Sequence, residues 1–221
     1  MTAIGRSTRR CVALAAGLLA VVTLTGCGGG AIKAGSAATV GDDALSEGAV
    51  SDIADEVNAV AAGTEGGQAL PPDEVNLRIV ALWVDMEITE ALAAAEDVAV
   101  TDADVDAFLE QFDEAALAQI AAGSAIPASQ LDRAARTVLL QQELALQLAP
   151  GARPEEQRQA LSAAKAETAA DLGVSVNPRF GSWDPTGEGD TGPGVKPRAD
   201  DRLSQQAEPD EPVGPPPPPV P

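Results

Sequence analysis

The chain has 221 residues, with 34 Asp+Glu against 14 Lys+Arg, no histidine and a formal net charge of −20. Such a surface repels phosphate backbones and anionic lipid head groups alike, which argues against nucleic-acid binding and against membrane adhesion through charge. Aromatic residues are confined to Trp83, Phe108, Phe112, Phe180 and Trp183. A core must therefore come from Leu, Ile, Val and Ala, which favours closely packed helices over a β-sandwich.

Arg6, Arg9 and Arg10 are the only charges in the first 26 residues, so the remainder carries all 34 acids and 11 of the 14 bases, a net −23. The uncharged stretch from Cys11 to Leu24 has the length of a signal-peptide core and falls short of the roughly 18–20 residues a spanning helix needs. Leu24-Thr25-Gly26-Cys27 follows, then Gly28, Gly29 and Gly30. This segment resembles the lipobox of bacterial prolipoproteins. The resemblance implies cleavage between Gly26 and Cys27, a diacylglyceryl group on the Cys27 thiol, palmitate-type acyl chains and residence on the extracytoplasmic face of the cell membrane. Two acyl chains anchor stably where one is marginal, so lipid, not charge, would supply the attachment to the bilayer. Thr8-Arg9-Arg10 also resembles a twin-arginine export signal, and both export routes stay open. Cys11 and Cys27 are the only cysteines, so no disulfide is available to the core.

Residues 27–36 read as a flexible tether. Ala37 to Val40 reads as a brief strand ended by the turn Gly41-Asp42-Asp43. Ser46 is placed to cap a helix in which Val50, Ile53, Val57 and Val60 share one face, with Gly63 to Gly67 ending it. Pro71 and Pro72, then Asp73 and Glu74, open a helix over about 73–96. Val75, Ile79, Leu82 and Met86 form one apolar stripe on it; Leu77, Val80, Val84 and Ile88 form a second, with Trp83 between. Two stripes mean burial from two sides, or one side buried and one offered to a ligand.

Thr101 and Asp104 make a capping-box pattern ahead of Val105, Phe108, Leu109 and Phe112, a core-facing stripe that Leu117 and Ile120 continue towards Gly123. After Pro127 a helix is expected over 128–149, through Leu131, Val138, Leu139, Leu140, Leu144 and Leu148. Pro154 starts a weaker helix ended by Gly173. Val174-Ser175-Val176 alternates as a short strand before Asn177-Pro178. Residues 185–221 are rich in Gly, Pro and acids, ending in Pro215 to Pro219, and read as a disordered tail of polyproline II character.

Asp102, Asp104 and Asp106 alternate as at the start of a calcium loop, but Ala107 and Asp113 stand where such a loop needs Gly and Glu. Acids in the first turn of a Thr-capped helix account for the cluster. With no histidine and no cysteine beyond Cys27 in the exported part, there is no imidazole base, no thiolate nucleophile and no ordinary transition-metal ligand set. No glycine-rich loop follows a strand. The sequence points to a non-enzyme, with no metal and no cofactor.

The order strand, helix, long helix, Thr-capped helix, long helix, terminal helix and strand resembles the N-terminal domain of the SurA-like chaperones. More narrowly it resembles the short SurA-like lipoproteins of actinobacteria. The residues that carry the match are 37–42, 100–105, the helix from Leu131 to Leu148, and Val176-Asn177-Pro178-Arg179-Phe180-Gly181-Ser182-Trp183-Asp184. The resemblance covers about residues 37–184. It implies a mainly α domain closed by a small two-stranded β element, the strand near Thr39 pairing with that near Val176. It also implies a hydrophobic groove for exported or unfolded polypeptides. No parvulin segment lies between the helices and the last strand, so isomerase activity is not carried over. On this reading Val80, Trp83, Val84 and Met86 are candidate client-binding residues, the alternative being plain core packing. Arg179, Phe180 and Trp183 read either as a structural corner or as a recognition surface. The alternative function is a scaffold lipoprotein of the envelope that binds one specific protein partner.

Overall fold

The computed structural model describes residues 33–63, 70–187 and 192–197, so Gly26, Cys27, most of the expected tether and the chain from 198 onward lie outside the described residues. The first element is a strand, β1 (Ser36–Val40), buried along its whole length. Its neighbours are β2 (Asp43–Ser46) and β3 (Val174–Val176), in the order β2-β1-β3, both antiparallel. Gly41 and Asp42 form the two-residue turn into β2, with Gly41 at φ 58°, a left-handed value that glycine adopts without strain. Ala37 and Ala38 are fully buried, and their small side chains let helices close on the central strand.

The pairing implied by the resemblance is present, with Ala38 opposite Val176, Thr39 opposite Ser175 and Val40 opposite Val174. The expected two-stranded element is, however, three-stranded. β2 carries a single inward apolar residue, Leu45, between exposed neighbours, too weak a pattern to announce a strand.

Six helices follow among the described residues: α1 (Glu47–Gly63), α2 (Pro72–Ala95), α3 (Asp102–Leu109), α4 (Glu114–Ser124), α5 (Leu131–Leu148) and α6 (Pro154–Leu172). A 3₁₀ turn at Ala128–Gln130 leads into α5. None of them is long and apolar enough to cross a membrane. The Thr101 capping box is formed: the Thr101 amide and hydroxyl donate to Asp104 Oδ2 at 2.9 and 2.6 Å, and the Asp104 amide donates back to Thr101 Oγ1. The stripe expected to run on from Phe112 is broken instead, because Asp113 turns its carboxylate onto the amide of Ala116 at 2.7 Å and caps a new helix, α4.

α2 is the axis of the fold, touching α1, α5, α6, β1 and a further strand, β5 (Gly194–Lys196). Val75, Ile79, Val80, Trp83, Val84 and Ile88 join Ala38, Val40, Val50 and Val57 in one core. A second cluster at the far end of α2 joins Leu92 and Ala93 to Leu140 and Leu144 of α5. Each such aliphatic side chain, fully buried, contributes about 1.5–3 kcal/mol.

Beyond β3, β4 (Ser182–Asp184) pairs antiparallel with β5, with Trp183 opposite Val195. The ordered chain therefore passes the boundary expected at Asp184 and takes in a piece of the expected tail. Trp183 is the physical reason. It and Val195 are half-buried side chains packed against the main core, so a three-residue strand with almost no apolar content of its own gains a surface to lie on.

Candidate functional site

Residues of both α2 stripes share one core. Towards α5 and α6 the helix is held by charge as well as by the cluster around Leu92 and Leu140. Arg133 of α5 donates from Nε to Glu90 Oε1 at 2.7 Å and from Nη2 to Glu90 Oε2 and Glu87 Oε1 at 2.9 and 2.8 Å. This fork, Glu90 first and then Glu87, raises the already high guanidinium pKa against the opposing effect of burial. Lys165 of α6, its side chain only 11 % exposed, pairs with Asp85 Oδ1. Gln141 of α5 donates to Asp85 Oδ2 at 2.8 Å and to the buried Thr89 hydroxyl at 3.2 Å. Asp85, Thr89, Gln141 and Lys165 thus tie three helices together, and a lysine so deep in a bundle is tolerable because its charge is met.

Towards β4 and β5 the surroundings are mostly apolar. A cavity of about 360 Å³ is lined by Leu82, Val84, Asp85 and Ile88 of α2 and by Trp183, Val195 and Lys196 of the ribbon. The β4–β5 ribbon is drawn tightly onto its support. A Cβ on Gly181 (φ 139°) would stand 2.7 Å from the Lys196 carbonyl oxygen, 2.8 Å from Val195 Cγ1 and 3.0 Å from Leu77 Cδ1. The turn after β4 is locked by Asp184, whose Oδ1 accepts from the Thr186 amide and hydroxyl and from the Gly187 amide. These bonds, Thr186's hydroxyl foremost, hold the Asp184 carboxyl below its ordinary range, and Lys196 acts in the same direction.

Comparison with protein-family models, with curated proteins and with solved structures finds no match for this chain. Its site must be read from its own geometry.

Of the residues singled out as client-binding, Val80 and Met86 are fully buried, Val84 is 1 % exposed and Trp83 8 %. They pack in the core, Trp83 being the least closed of the four, in line with the alternative of plain core packing. A helix whose two apolar stripes are both covered needs those side chains for packing. Only Val84 also reaches the cavity wall. Gly26 and Cys27 lie outside the described residues.

Arg179 and Phe180 belong to a structural corner. Arg179 Nη1 donates to Glu47 Oε2 at 2.8 Å, and its guanidinium sits 5.9 Å from the Phe180 ring centroid. Asn177 closes the corner by donating to Glu47 Oε1 and to the Ser36 carbonyl, while its own amide donates to the Ala37 carbonyl at 2.8 Å. Trp183 stands apart from this corner, in the cavity wall.

Sequence reading missed Asp85, Lys165, Val195 and the role of Trp183. A faint signal existed for Trp183, since one of only two tryptophans stood next to the presumed end of the domain. Among the described residues no group of three or more His, Cys, Asp or Glu side chains is arranged to hold a metal ion.

Proposed function

We propose that the chain is a membrane-anchored lipoprotein, attached through acyl chains on Cys27, that holds exported or unfolded polypeptides on the extracytoplasmic face of the cell membrane. It does so as a binding module, without isomerase or other catalytic activity. The observation that carries this reading is the cavity beside α2. Its walls are mostly aliphatic and aromatic, it lies next to a short two-stranded ribbon, and of its two charged residues, Asp85 and Lys196, the first is already paired with Lys165. Concave, mostly apolar space with few polar groups is what a site for apolar segments requires. The pairing of β1 with β3 supports a relationship to the SurA-like lipoproteins that lack a parvulin domain.

The test has two parts. The chain from residue 28 to 221 should suppress aggregation of a reduced, unfolded client at stoichiometric ratio and give background rates in a prolyl isomerase assay. No suppression, together with one partner dominating crosslinks from intact cells, would replace this reading with that of a scaffold lipoprotein. Cys27→Ala should release the protein into the medium or leave an unprocessed precursor, and unchanged membrane retention would refute the anchor.

A further inference from the structure

The β4–β5 ribbon shows what the face of α2 accepts. β5 is three residues long, set between Pro193 and Pro197, and all three are half-buried. It lies in extended form against β4, presenting Val195 to the cavity opposite Trp183. Gly181 allows the approach, because any side chain there would meet the backbone of β5. The cavity of about 360 Å³ that Val195 and Lys196 help to line leaves space beside the Val195 side chain. The seat is thus shaped for an extended backbone with room at its apolar position.

The two sides of α2 differ in what holds them. Arg133, Gln141 and Lys165 fix the helix to α5 and α6 through hydrogen-bonded charge. The ribbon brings Trp183, Val195 and Lys196 to α2, Lys196 being attracted by Asp184, and β5 itself is well short of the five or six residues of an average strand. Loss of β5 would leave the edge of β4 unpaired next to an apolar trough. That is the arrangement by which strand addition captures peptides, with main-chain bonds giving affinity and side-chain pockets giving selectivity.

We propose that the trough between β4 and α2 is a binding site for an extended polypeptide strand, in which β5 is the chain's own occupant and is exchanged for a partner strand carrying a larger aliphatic or aromatic residue at the Val195 position. This rests on the polypeptide-binding reading above and gives it a location and a chemistry. The preferred segment is extended, with a glycine before and a base after one apolar residue, as in Gly194-Val195-Lys196, and free of acids, which Asp184 would repel. Because β5 competes from within the same chain, the apparent affinity of the intact protein is lowered by the fraction of time the site is occupied.

The probe is a labelled synthetic peptide of residues 190–200, with a second peptide carrying Val195→Leu and a third carrying Val195→Asp. Each is titrated into the chain from residue 28 to 221 and into a chain ending at Gly187. The native peptide should bind the shortened chain at least about tenfold more tightly than the intact one. The Val195→Leu peptide should bind tighter still, and the Val195→Asp peptide should not bind. Equal affinities, or no binding to a shortened chain whose circular dichroism matches the intact protein, would overturn the proposal. If the shortened chain does not fold, Gly181→Ala in the intact chain decides. Its added methyl would meet the backbone of any strand in the trough, so peptide affinity should fall while amide exchange of β4 rises, and unchanged values refute the site. Concentration-dependent dimers that vanish on removal of residues 188–221 would also overturn it, because the occupant would then be a second copy. The outcomes separate from the client assay. Aggregation suppressed without peptide binding removes the site and leaves the holding function; peptide binding without suppression does the reverse.

Discussion

Lys165 offers the sharpest test of how the helices are held. Its side chain is 11 % exposed and pairs with Asp85, which is 37 % exposed and also accepts from Gln141 at 2.8 Å. Removing one member of a fully buried pair costs about 3–5 kcal/mol, because the other charge is stranded. Lys165→Met strands Asp85, which keeps the Gln141 bond and some access to water, so the cost falls to about 2 kcal/mol. For a domain of this size that lowers Tm by roughly 4–8 °C. Asp85→Ala strands the more deeply buried Lys165 and should cost more, about 3 kcal/mol. The double variant Asp85→Ala/Lys165→Met removes both charges and should cost about 2 kcal/mol less than the two single effects added together. Urea unfolding followed by far-UV circular dichroism, with all four proteins at one ionic strength, measures the cycle. Additive single effects, or a Lys165→Met variant more damaged than Asp85→Ala, would refute the idea that this pair is buried and mutually dependent.

Met86→Ala should destabilise by about 2–5 kcal/mol, since Met86 is completely buried; a change within about 0.5 kcal/mol would put the side chain back on the surface. Arg133→Lys keeps the charge but loses the fork onto Glu90 and Glu87, and in this partly exposed setting should cost about 1 kcal/mol by urea unfolding. The Asp104 carboxyl is held below its ordinary range by the hydroxyl and amide of Thr101, as Glu156 is by the side chain and amide of Arg153. A carboxyl depressed in the folded state contributes fully above its unfolded-state pKa and loses that contribution as pH falls through the folded value. Thr101→Ala should therefore lower Tm at neutral pH, and its difference from the parent should shrink below about pH 4. Comparing the two proteins at each pH cancels the opposing relief of acid–acid repulsion in a chain of net charge −20. A difference that grows on acidification contradicts the capping assignment.

Local signals in this sequence were read well where the controlling interaction is itself local. The Thr101–Asp104 cap spans three residues, and Pro71-Pro72 ahead of two acids marks the start of α2. The failures sit where a distant partner decides. Asp43 to Ser46 becomes a strand only because β1 supplies its ladder. Gly194 to Lys196 lies among prolines and acids and reads as tail; Trp183, eleven or so residues earlier, is what it pairs beside. Lys165 is buried because Asp85, 80 residues earlier in the chain, meets its charge from α2. The candidate site was legible to the extent that α2 carries two stripes. What covers the second stripe was hidden, because the covering strand has too little apolar content to declare itself.

The manner of that covering bears on how one helix can serve both stability and binding. A groove lined by the central helix of a small domain would ordinarily be a liability, since opening it exposes the core. Here Val80, Trp83 and Met86 are at most 8 % exposed, and α2 keeps α1, β1, α5 and α6 as neighbours besides β5. Departure of β5 would bare Leu82, Val84, Ile88 and the edge of β4. Those are few enough for a local opening to be affordable without global unfolding, which is the property that segments moving in binding share. Attachment of α2 to α1, α5 and α6, which does not pass through β5, is thus what lets the proposed strand exchange proceed on a folded scaffold. It also explains why Lys165→Met and Gly181→Ala should behave differently, the first lowering global stability and the second chiefly freeing the ribbon.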